Sequence, residues 1–65
     1  MKPGDMIRTQ GIKTLYNSFG STRIIGEIPW KTTGIILQVH NSWLLILTSS
    51  GITAWCSNVH IKVIS

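Results

Sequence analysis

GIILQVHNSWLLILT, residues 34–48, is two aliphatic runs separated by a polar triplet, and its reading decides the fold. Gly34 to Val39 and Trp43 to Thr48 are each of strand length and rich in Ile, Leu and Val. His40-Asn41-Ser42 between them supplies turn chemistry, so the stretch predicts a β-hairpin. Downstream, Ser49-Ser50-Gly51 reads as a second tight turn, with Gly51 suited to a positive φ. Ile52-Thr-Ala-Trp-Cys56 follows as a strand. Residues 57–60 are too short for an α-helix and predict a single 3₁₀ turn before a last strand, Ile61 to Ile64. Upstream, Pro3-Gly4 punctuates a turn that opens into a first strand ending near Arg8.

Between these regular parts lies a long excursion, Thr9 to Thr32, interrupted by Gly11, Gly20, Gly26 and Pro29 and without a period of 2 or 3.6. Leu15, Tyr16, Phe19, Ile24, Ile25, Ile28 and Trp30 make it too apolar for a solvated loop. The expectation is a packed Ω-type loop or hairpin that closes one side of a barrel or meets a neighbour. Residues 1–65 are read as one domain: five short strands, all β, with residues 9–32 as a long apolar insert. Closing five such strands into a barrel removes the edges that an open sheet would expose.

Composition bounds the function. A core built from 65 residues contributes only about 3–5 kcal/mol of net stability without a staple. Cys56 is the one cysteine, which excludes an internal disulfide, and two histidines with one thiol at wide spacing do not make a structural zinc site. Hydrophobic residues are 43% of the chain and charged residues 12%, against about 25% charged in an ordinary soluble domain. That surplus of apolar side chains points to burial in an assembly. The net charge of +4 draws such a chain to nucleic acid or to acidic protein surfaces. Its six Lys and Arg residues are spread singly along the sequence, however, not concentrated in a stripe. No apolar h-region precedes Arg8, and the longest nearly apolar run is too short to span a bilayer, so no membrane role is expected.

The order of these pieces resembles the SH3-like barrel superfamily in its Tudor/KOW-like form. The likeness rests on Lys2-Pro-Gly-Asp-Met-Ile-Arg8, Thr33-Gly-Ile-Ile-Leu-Gln-Val39, Trp43 to Leu47, Ser50-Gly51, Trp55-Cys56 and Ile61-Lys-Val-Ile64. Very short chains with this run of pieces are similar to small proteins of tailed bacteriophages, cyanophages among them. The resemblance implies a five-stranded barrel serving as a capsid decoration, neck or tail component. Its place would be the virion, assembled in the host cytoplasm, and its partners virion subunits in many copies. The departure is residues 9–32, longer and more apolar than the usual first loop.

No catalytic machinery is visible, and no cofactor, metal or small-molecule substrate is expected. Asp5 follows Gly4 at a strand entrance, where an Asx-type turn accounts for it. Cys56 falls in register with Ile52 and Ala54 on the expected core face, where a cysteine behaves as a small hydrophobe. Tyr16, Trp30, Trp43 and Trp55 are more aromatic surface than packing alone needs. By alternation Trp55 faces away from the core, whereas Trp43 reads first as a core residue. The expected partner-binding set is Tyr16, Phe19, Arg23, Ile25, Ile28, Trp30 and Trp55. A proline-rich-peptide groove and a methyl-lysine cage both call for acidic residues, whereas the long segment holds Lys13, Arg23 and Lys31 against a lone Glu27 and two carboxylates in all give neither support. The second functional expectation is a nucleic-acid-binding barrel, prompted by the positive charge and the aromatics.

Overall fold

Every strand of the protein places at least one apolar side chain in a common core, and alternation along the strands decides which. The computed structural model describes residues 1–18 and 23–64. They form β1 (Met6–Thr9), β2 (Lys13–Tyr16), β3 (Ile24–Ile28), β4 (Thr33–His40), β5 (Trp43–Thr48), β6 (Thr53–Ser57) and β7 (Ile61–Val63). All pairings are antiparallel, in the order β3-β2-β6-β5-β4-β1-β7. The sheet curls into a half-barrel around Ile7, Leu15, Ile28, Ile36, Leu44, Ile46, Ala54, Cys56 and Ile61. Fully burying an aliphatic side chain of this size contributes about 1.5–3 kcal/mol.

The turns follow their residues. Pro3-Gly4 makes a turn with Gly4 at φ 94°. There the Asp5 N–H donates to the Lys2 carbonyl at 3.2 Å, and the Lys2 N–H donates to the Asp5 carboxylate at 3.1 Å. The β5–β6 turn closes with the Gly51 N–H on the Thr48 carbonyl at 2.9 Å, and Gly51 sits at φ 90°. In the β4–β5 hairpin His40 pairs with Trp43, leaving a two-residue loop with Asn41 at φ 55°. A bulge between Ile36 and Gln38 leaves Leu37 outside the ladder. Beyond it, residues 37–40 are all exposed. Gly34 has no room for a side chain, because a Cβ there would stand 2.8 Å from the Leu47 carbonyl oxygen.

Three expectations are corrected. Among the described residues the strands number seven, not five, because the 9–32 insert contributes β2 and β3, which pair as in the hairpin alternative and join the sheet through Tyr16 opposite Trp55. Being paired and supplying Leu15 and Ile28 to the core, it is part of the fold. The segment before β7 is a simple turn in which His60 takes a left-handed φ of 57°, incompatible with a 3₁₀ turn. Ile52 is exposed in the turn preceding β6, so only Ala54 and Cys56 of the expected trio face inward.

Candidate interaction surface

The second face of β5 is what sets this sheet apart. Leu44, Ile46 and Thr48 point into the core, so Trp43, Leu45 and Leu47 project outward. Directly opposed residues of antiparallel strands share a face, and the register extends this apolar row sideways. Leu45 stands opposite Trp55, Trp55 opposite Tyr16, Leu47 opposite Ile35, and Ile35 opposite Met6. A row of apolar side chains therefore crosses the outer face from β2 to β1, flanked by Ser57 opposite Trp43, Gln38 opposite Leu45 and Thr53 opposite Leu47. Tyr16 and Trp43 meet edge to face, ring centroids 5.2 Å apart and planes at 87°, a favoured aromatic geometry. Beside Met6, Ile35 and Leu47 the surface dips into a depression of about 250 Å³, also lined by Thr33, Gly34, Thr48 and Ser49.

Of the expected contact residues, Tyr16 and Trp55 lie together on this face, both half-buried. Trp43 belongs here too, a correction to its reading as core: the inward positions of β5 are taken by its neighbours. Ile28 is 3% exposed and sits in the core, so it cannot contact a partner. Arg23 and Ile25 are exposed at the far edge of the sheet, on or beside β3. Trp30 is 61% exposed on the β3–β4 turn, with the Lys31 ammonium 4.8 Å from its ring centroid. Phe19 lies outside the described residues. Sequence reasoning missed Leu45, Leu47, Ile35 and Met6 as contact candidates. The doubly apolar pattern of β5 is a signal for Leu45 and Leu47, whereas Ile35 and Met6 are placed there only by the register.

Lys13 and Cys56 are the buried titratable groups. Lys13 is on the inner face of β2, and its ammonium donates to the Ser57 hydroxyl at 2.8 Å and the Val59 carbonyl at 2.6 Å. It thereby ties the β2–β3 hairpin to the turn before β7. Burial holds its pKa below the ordinary lysine value, and coupling to Cys56 pulls it partly back. Burial likewise raises the Cys56 thiol, opposed by the nearby Lys13. Fully buried, Cys56 packs as a member of the core.

Comparison of the chain with known protein families, curated proteins and solved structures returned no match.

Proposed function

We propose that the protein is a non-enzymatic interaction module on an SH3-like barrel scaffold, a small tailed-phage virion component that docks other virion subunits through the outer face of its sheet. The observation that carries this reading is the apolar row Met6, Ile35, Leu47, Leu45, Trp55 and Tyr16, outside a core that is complete without it. Met6 and Leu47 are exposed and the rest of the row is half-buried, and an apolar face of that kind marks an association site. Aromatics in such a row are the residue types that dominate interface energetics.

The scaffold reading rests on strand order. Without the β2–β3 hairpin the strands run β7-β1-β4-β5-β6, a meander whose last strand returns to pair with the first. That supports the Tudor/KOW-like resemblance and makes the hairpin an elaboration of its first loop. The test is sedimentation velocity of the purified chain at rising concentration, with a dye that fluoresces on apolar surface. Concentration-dependent association and dye binding are expected. A dye-negative monomer at every concentration would remove the proposal.

A further inference from the structure

Folding gathers cations that the sequence scatters. Arg8 on β1 and Lys62 on β7 are directly opposite one another, both exposed. Like charges so placed destabilise an antiparallel pair. The next residue, Thr9, accepts the Lys31 N–H on its carbonyl at 3.0 Å, which ties the backbone of the Lys31 turn to β1 one residue from Arg8. Neither carboxylate interposes: Asp5 accepts the Lys2 amide, and Glu27 pairs with Thr14 within the β2–β3 hairpin.

The same corner presents Trp30, and its backbone is fixed. The Thr9 hydroxyl donates to the Pro29 carbonyl at 2.9 Å and accepts the Thr32 N–H at 3.0 Å. The Thr32 hydroxyl donates to the Pro29 carbonyl at 2.7 Å, and the Thr9 N–H donates to the Thr32 carbonyl at 2.9 Å. Lys31 takes a left-handed φ of 66°, with its ammonium over the indole. A non-glycine residue held there is strained, and the surrounding hydrogen bonds hold it in place. The result is an exposed aromatic plane with one cation over it, on a backbone-fixed turn tied to the strand that carries Arg8 opposite Lys62.

We infer that this corner binds single-stranded nucleic acid, with Arg8, Lys31 and Lys62 on its phosphates and Trp30 stacked on a base. Phosphates alone would satisfy the cations and a flat π system alone the indole; an unpaired strand supplies both at once. An acidic protein surface answers the charge but offers the indole no base. Paired bases in a duplex are already stacked on one another. The surface adjoins the Met6 end of the outer row, since Arg8 and Met6 are alternate exposed residues of β1 and Arg8 stands opposite Thr33, but its argument uses the cations and Trp30, none of which belongs to that row. The inference therefore does not depend on the docking proposal.

The test is fluorescence anisotropy of the full chain with a labelled oligodeoxythymidylate, over a salt series. Three phosphate contacts predict a log–log slope of about −2 (about 0.7 for each contact), or about 20-fold weaker binding on going from roughly 50 to 200 mM salt. Arg8→Ala is expected to lower the slope by about 0.7. Trp30→Ala, at an exposed position, is expected to keep the circular dichroism spectrum and weaken binding by about 5- to 150-fold. Lys2→Ala, outside the corner, is expected to change the slope by less than Arg8→Ala does. A flat salt response would overturn the inference, as would wild-type binding by Trp30→Ala. So would polyglutamate competing as well as the oligonucleotide, which would assign the corner to acidic protein.

Discussion

Adding one methyl group at Gly34 and the same methyl at Gly26 is expected to move stability in opposite directions. At Gly34 the new Cβ meets the Leu47 carbonyl oxygen at 2.8 Å, the Thr48 Cα at 3.3 Å and the Leu47 carbonyl carbon at 3.4 Å. All three are backbone atoms of β5, so no side chain can swing away. Relief requires β4 to move off β5 where Gly34 pairs with Thr48. Overpacking of this kind costs about 1–3 kcal/mol, a large part of the roughly 3–5 kcal/mol available to so small a core. For a domain of this size about 2 kcal/mol corresponds to a melting point lower by roughly 8–16 °C. At Gly26 nothing lies within 4 Å of the added Cβ, and its φ is not positive. Gly26→Ala should therefore raise stability by about 0.4–1 kcal/mol through the unfolded chain. Thermal and urea melts followed by tryptophan fluorescence measure both. Gly34→Ala melting at or above the wild-type temperature would refute the close β4–β5 approach on which the register rests.

Three further outcomes follow from local geometry. Thr9→Val keeps shape but strips the buried Thr9 hydroxyl from the Thr32 N–H and from the Pro29 carbonyl, which keeps the Thr32 hydroxyl; it should cost about 0.5–1.5 kcal/mol, and circular dichroism melts would expose the error if it were neutral. Lys13 binds fewer protons folded than unfolded, so its contribution makes stability rise with pH from its lowered folded pKa up to the ordinary value of 10.5. Cys56, raised, works the other way and removes stability above pH 9.0. Urea midpoints across pH should show the alkaline rise abolished in Lys13→Met and the opposing loss abolished in Cys56→Ala; unchanged profiles in both variants would mean that neither group is desolvated by folding. Gly51→Ala, forced into φ 90°, should destabilise by about 1 kcal/mol or more, and an unaltered melting point would show that the β5–β6 turn relaxes.

How much of this was legible in the sequence depends on where the information is local. The β4–β5 hairpin, β6 and the Pro3-Gly4 and Gly51 turns were readable, because β-branched runs and turn residues carry their conformation with them. β2 and β3 were not. Lys13, at the start of β2, points inward to the Ser57 hydroxyl and Val59 carbonyl, which inverts the polar-out pattern a strand normally shows. Gly26 and Pro29 further break up β3. The outer apolar row was half readable. Trp43, Leu45 and Leu47 evidently alternate with Leu44 and Ile46, but which set faces the core is decided by what covers each side. The pairing of Arg8 with Lys62 joins the two ends of the chain, and no local pattern announces it.

The central claim is that the outer face is surplus to folding and available for docking. The double substitution Met6→Gln, Leu47→Gln tests it, because both side chains line the depression and neither belongs to the core. Its urea unfolding and its binding of the apolar dye should be measured on the same samples. A stability within about 1 kcal/mol of wild type, together with loss of most dye binding and of self-association, is the predicted result. An unfolded variant, or a folded one that binds dye as wild type does, would contradict it.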